Sequence, residues 1–419
     1  MEVSFQKESE EFIKKINSLK NSLPYIIESV YTRTEEVFSE IVKFVEDNSK
    51  KEDLENKIRY LMRYDKIREL NSLYTEADHM ERALDTIPKS FIVSLISQYD
   101  AYLGNLIRTI YIKKPQKLKR SDKEFNYTDI IKFNSIDEIK EYVIEKEIET
   151  VLRKSHAKQF DWLEKLLGMT LRKGLDIWPT FIEVTERRNL FVHCDGVVSS
   201  QYIKNCERHK VDLDGIKLGD QLKVSHEYFK KAYKCIFEIG VKLAQVVWRK
   251  LEPKCLEDAD HSLINIIHNL LLDKEFVLAQ TLAEFASNLP DYSSEEKRLM
   301  LIVNKALAYK WDGNNEKCCA IIKDIDWSAL SDKFKLAYAV MLDNFGKAAS
   351  LMKQIGNNGE VTQINYRHWS LFKEFRTTII FQKTYSEIFN EKYEIIEHET
   401  EERNDIQKEV AVTKEYDKS

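Results

Sequence analysis

The sequence predicts an all-α protein, and two observations carry the prediction. Of 419 residues only 11 are glycine and 6 proline, well below the roughly 7% and 5% of average usage. Parallel α/β enzymes and all-β sandwiches consume turn glycines, so this composition argues against both. The second observation is spacing: apolar residues recur every three or four positions, as in Leu54, Ile58, Leu61 and then Ile67, Leu70, Leu73, the period of helices with one buried face. At 43% hydrophobic residues the chain is long enough for two or three domains and a large core.

Residues 1–84 read as an N-terminal region of three helices. Breaks are expected near Asn21-Ser22-Leu23-Pro24, at Asp47-Asn48-Ser49 and on the approach to Pro88. Nothing there suggests chemistry, and a helical arm or partner surface is the reading. A second domain spans 85–252. Pro88 opens a helix with the stripe Ile92, Ile96, Tyr99, Leu103, Leu106 and Ile110, a 4-3-4-3-4 spacing. Its neighbouring face carries Ser97, Asp100 and Gly104, which implies a close helix contact and a polar group turned inward. Five bases in eight residues follow: Lys113, Lys114, Lys117, Lys119 and Arg120. Helices are expected over 136–152 and 156–173. The next begins at an acidic cap, Asp176, with Pro179 tolerated in its first turn, and stops at Gly196, a left-handed C-cap. A long helix covers about 223–250.

Residues 253–360 repeat. Turns at Asp273-Lys274-Glu275, Asp312-Gly313-Asn314-Asn315 and Asp343-Asn344-Phe345-Gly346 are each followed by a helix carrying small residues. The average interval is near 35 residues. Such helix–turn–helix units resemble degenerate tetratricopeptide repeats, which implies a surface for a protein partner or regulator. The remainder, 361–419, reads as one helix (Trp369, Phe372, Phe375, Ile379, Phe381) and a charged tail, disordered after about residue 400.

Charge is nearly balanced, 65 basic against 70 acidic residues, so a uniformly basic nucleic-acid coat is excluded but a local basic patch is not. The N-terminus lacks the apolar core of a signal peptide, and no stretch approaches the roughly 18 apolar residues of a membrane span. The six cysteines form no CxxC pair, and Cys318-Cys319 reads as packing. A cytoplasmic, reduced protein with no metal or other cofactor site and no membrane contact is expected.

The informative segment is Glu186-Arg187-Arg188-Asn189-Leu190-Phe191-Val192-His193-Cys194-Asp195-Gly196. Helical spacing sets Arg188 into the apolar seam of Ile177, Phe181, Val184 and Phe191. Asn189 and His193 share the adjoining face. Burying such groups is costly unless they are paired or functional. An imidazole moves protons near neutral pH, a guanidinium clamps a phosphate, and an amide orients an oxygen. No acidic cluster of the kind that holds Mg²⁺ accompanies them, which leaves metal-independent RNA cleavage. There the 2′-OH attacks the phosphodiester to leave a 2′,3′-cyclic phosphate and a 5′-OH. At the C-terminal end of its helix, His193 meets a dipole that favours the imidazolium, as suits an acid for the leaving 5′-oxygen.

Arg188-Asn189-x-x-x-His193 with Gly196 close behind resembles the R-N-x-x-x-H signature of HEPN domains, and the helix over 94–108 resembles the early HEPN helix that carries a supporting polar residue, here Asp100. The resemblance covers about 85–250. It implies an all-α bundle, a homodimer through the motif helices, and a composite site with Arg188 and His193 from both subunits. It also implies an endoribonuclease of toxin–antitoxin, abortive-infection or other antiphage systems, with RNA as substrate. Arg188, His193, Asn189 and Asp100 are then the catalytic candidates, and Lys113, Lys114, Lys117, Lys119 and Arg120 the candidate grip on the RNA backbone. The rival is a catalytically inactive scaffold, in which Arg188 and His193 would be buried dry. A third reading makes the motif region a target of nucleotide modification, with Tyr202 as acceptor. His156, between Lys154 and Lys158, reads as a surface histidine. His261 and His268, seven apart with no third ligand, read as core or rim positions.

Overall fold

A computed structural model describes residues 4–54, 57–120 and 126–393. Among these the chain is all-α apart from a single β-hairpin. It divides into two units, residues 1–266 with 284–297, and 267–283 with the chain from 298 onward.

In the first unit, α1 (Phe5–Asn48) starts at Ser4, whose hydroxyl accepts the Lys7 amide. Strands β1 (Ser49–Leu54) and β2 (Lys57–Met62) then pair antiparallel, Ser49 opposite Met62. Helix α2 (Tyr64–Lys113) runs back along α1. The breaks expected at Pro24 and Pro88 are absent, since both prolines lie inside helices. Each gives up one helical hydrogen bond, but the turns around them are held by burial of Leu23 and Ile92. The break at Asn48 is real. Beyond it a hairpin stands where helix was expected, because Ile58, Tyr60 and Met62 alternate along β2 at the two-residue period of a strand. Val37, Ile41 and Ala77 are buried between the long helices with Leu70 and Leu73 against them, and Arg33 reaches Glu76 at 2.7 Å.

The C-terminal half of α2 is the axis of the bundle. Ile92, Ile96, Tyr99, Leu103, Leu106 and Ile110 are all 0% exposed, each of the aliphatic side chains stabilising by roughly 1.5–3 kcal/mol. A 3₁₀ turn (Pro115–Arg120) and short α3 (Tyr127–Ile130) lead to α4 (Ile136–Leu152). α4 crosses α2 at Gly104, where a Cβ would stand 3.3 Å from Ile148, the close contact the sequence implied. α5 (His156–Leu167) ends earlier than expected because Gly168 takes φ +66°. α6 (Trp178–His193) has Ile177 at its N-cap position and no side-chain cap, in place of the acidic cap expected from Asp176. α7 (Ser200–Arg208) was not anticipated. α8 (His226–Leu251) closes the core, its Tyr233 hydroxyl donating to Asn17 of α1 at 2.7 Å. Helix α9 (Leu256–Leu272) begins in this unit and ends in the second.

The second unit contains the expected turns. They join α9 to α10 (Phe276–Ser287), α11 (Glu295–Trp311) to α12 (Asn315–Lys323), and α13 (Asp332–Met341) to α14 (Phe345–Ile355). All three close alike: the amides of Glu275, Asn314 and Asn344 donate to the carbonyls of Leu270, Tyr309 and Ala339, each five residues earlier, as in a Schellman motif. Cys318 is buried, and that burial pushes its thiol up to about 11. The single helix expected after 361 is instead α15 (Gln363–His368), two 3₁₀ turns and α16 (Ile379–Phe389). Thr362 caps α15 and Thr378 caps α16, which breaks the segment while Tyr366, Phe372, Phe375, Phe381 and Tyr385 pack together. The tail read as disordered lies outside the described residues. Among those described, no helix is long and apolar enough to cross a membrane.

Candidate functional site

The end of α6 is fixed by its glycine. Gly196 takes φ +84° and donates its amide to Leu190 at 3.0 Å. A Cβ there would stand 3.0 Å from the Leu222 carbonyl, so only glycine fits both the turn and the crossing chain. The turn sends α7 back over α6, where Leu190, Val198, Tyr202, Cys206 and Leu222 form a small core.

Beneath that core lies a buried polar network. Glu183 accepts from the Arg187 Nε at 2.6 Å and from the Tyr202 and Tyr228 hydroxyls at 2.9 Å each. The Arg187 guanidinium lies 3.9 Å from the Tyr228 ring centroid. Three donors and one counter-charge compensate the buried carboxylate. Burial, reinforced by Glu183, holds the Tyr202 and Tyr228 phenols well above their ordinary range, and burial pushes the Cys206 thiol up to about 12. Tyr202 is 1% exposed. Its hydroxyl is a structural donor to Glu183, although the residue also borders the pocket described below.

Asp100, on α2, organises the motif. Its Oδ2 accepts from Arg188 Nη2 at 2.7 Å and its Oδ1 is 3.0 Å from His156 Nε2. His156 is therefore no surface histidine. Its side chain is 7% exposed, at the start of α5, with ring contacts to Tyr99 and Phe181. The sequence carried one weak signal for it, a histidine directly after a serine at a helix start. Its partner lies 56 residues away, beyond the reach of helical periodicity.

A pocket of about 420 Å³ opens between the start of α5, the second half of α6 and the start of α7. His156, Arg188, Asn189 and His193 line it, with Arg153, Lys154, Glu186, Gln201 and Asn205 among the other walls. His193 is exposed in the last turn of α6. Asn189 is half-buried, and the buried Nε of Arg188 has no hydrogen-bond partner. Three of the expected residues thus line one pocket, and the fourth, Asp100, holds one of them from behind.

Of the basic run, Lys113, Lys114 and Lys117 do not line this pocket. Lys113 pairs with Glu252 at 3.2 Å. Lys117 donates to the Leu166 carbonyl at 2.8 Å, satisfying one of the acceptors left open at the end of α5. Lys114 is half-buried, and the side chains of Lys119 and Arg120 lie outside the described residues. His261 is 3.0 Å from Asn265 and His268 is 3.0 Å from Ser370, the rim and core positions expected of them. Among the described residues no group of three His, Cys, Asp or Glu side chains is placed to hold a metal ion. The chain matches no family model, no curated protein and no solved structure.

Chemically, the pocket offers a guanidinium with a fixed counter-charge, a carboxamide and two imidazoles in unlike settings. That set can bind a phosphate and move protons beside it.

Proposed function

We propose that this protein is a metal-independent endoribonuclease. The observation that carries the reading is the pocket shared by Arg188, Asn189 and His193, with Asp100 bonded to Arg188. Arg188 binds the scissile phosphate and stabilises the charge that builds on it. Asn189 orients a phosphate oxygen or the 2′-OH. His193 protonates the leaving 5′-oxygen. The resemblance to HEPN ribonucleases supports the same assignment and adds a homodimer through α6 and a role as a toxin or antiphage effector. An inert scaffold would favour dry packing of the motif, and an exposed His193 on an open polar pocket speaks against that.

The test is cleavage of a mixed tRNA and mRNA pool in excess EDTA by wild type, His193→Ala and Arg188→Ala. Cyclic-phosphate ends from wild type, and loss of cleavage in both variants, are expected. Cleavage unchanged in either variant overturns the assignment.

A further inference from the structure

We infer that His156 is the general base of this pocket, taking the 2′-OH proton while His193 supplies the proton that the 5′-oxygen needs. The inference rests on the pocket cleaving RNA. It begins with the Asp100 carboxylate, which can only accept hydrogen bonds. The His156 Nε2 beside Oδ1 at 3.0 Å therefore carries the hydrogen. In the neutral ring the lone pair is then on Nδ1, which makes no hydrogen bond among the described residues. The ring is held between Tyr99 and Phe181 and lines the pocket together with His193. A carboxylate that fixes one nitrogen as donor and leaves the other basic is the arrangement by which histidine bases are oriented in hydrolases. The two imidazoles have unlike surroundings, one enclosed and carboxylate-bound, the other exposed at a helix end, and unlike surroundings divide acid from base.

The charged and titratable groups around His156 are Asp100 and Tyr99 on α2, which touch it, and Arg153 and Lys154 before α5 with Glu186, Arg188 and His193 on α6, which line the same pocket. The step balances within them. Nδ1 takes the 2′-OH proton, the 2′-oxygen bonds to phosphorus, the P–O5′ bond breaks, and His193 donates its proton to the 5′-oxygen. The products are a 2′,3′-cyclic phosphate and a 5′-OH. Proton exchange with water returns both rings to their starting forms.

The experiment measures cleavage rate against pH for wild type, His156→Gln, His156→Ala and His193→Ala. Substrates are an RNA oligonucleotide and the same oligonucleotide with a bridging 5′-sulfur, whose thiolate leaves without an acid. A general base contributes about 10²–10⁴-fold. His156→Gln, which keeps an N–H for Asp100, should therefore lose at least about 100-fold and its acidic limb, with little change in melting temperature. The sulfur substrate should rescue His193→Ala and not His156→Gln. A His156→Gln enzyme within a few-fold of wild type, or one rescued by sulfur, overturns the inference. So does rescue of His156→Ala by glutamine, which would make His156 a positioning residue only. No cleavage by wild type, or cleavage independent of His193, overturns the ribonuclease reading itself and is distinguishable from the other outcomes.

Discussion

Asp100→Asn tests the hydrogen-bond arithmetic behind the pocket. The carboxylate meets two donors, Arg188 Nη2 at 2.7 Å and His156 Nε2 at 3.0 Å. Asparagine offers one acceptor and one NH₂. If its oxygen stays with Arg188, the NH₂ faces His156 Nε2–H, and the conflict is relieved only by moving the ring proton to Nδ1. Hydrogen bonds to charged groups are worth about 1.5–3 kcal/mol and neutral ones about 0.5–1.5, so two downgraded bonds cost about 2–3 kcal/mol. Asp100 and Arg188 keep 25% and 21% of their side-chain surface exposed, and water replaces part of the loss. The expected destabilisation is about 1–2 kcal/mol, a fall in melting temperature of roughly 2–8 °C for a unit of this size. Calorimetry measures the fall, and NMR of ¹⁵N-histidine-labelled protein reports which ring nitrogen is protonated. An unchanged melting temperature, or a His156 proton that stays on Nε2, would refute the reasoning.

Two further perturbations probe the rest of the chain. A Cβ on Gly240 would come within 2.3 Å of Phe12, whose ring stacks on Tyr102 at 4.3 Å. Gly240→Ala should thus destabilise by about 1–3 kcal/mol through overpacking, and Phe12→Leu added to it should recover part of that in urea unfolding; a purely additive pair would contradict the packing argument. Burial lowers the pKa of His268 below its ordinary value near 6.5, so the unfolded chain binds the proton first. Its contribution to stability is complete above about pH 6.5 and declines as pH falls below it, by at most about 1.4 kcal/mol per pH unit. His268→Gln should flatten that decline between about pH 5 and 7, and a steeper acid loss in the variant would reverse the sign argued here.

What could be read ahead of the structure follows from the range of each signal. The stripe from Ile92 to Ile110 and the three interhelical turns were legible because helical period and turn chemistry are local. Arg188, Asn189 and His193 were legible for the same reason, lying within six residues on one helix. Pro24 and Pro88 misled, because a single lost hydrogen bond is outweighed by packing that only the fold reveals. The β-hairpin was missed although Ile58, Tyr60 and Met62 alternate, since Leu54, Ile58 and Leu61 also satisfy a helical spacing. His156 and Lys117 lay beyond any local rule. Their roles are set by Asp100, 56 residues before one, and by Leu166, 49 residues after the other.

The pairing of α1 with α8 also bears on how the chain is made. The α1–α2 pair can zip from its β1–β2 ladder as soon as both helices have left the ribosome. Asn17, however, meets Tyr233 across 216 residues. At about 5–20 residues per second of synthesis that interval is roughly 10–40 s. For that time the apolar face of Phe5, Phe12 and Ile16, each at most 3% exposed in the finished protein, has no α8 to cover it. Until α8 is made, the nascent chain therefore carries this apolar face without the helix that covers it in the finished fold.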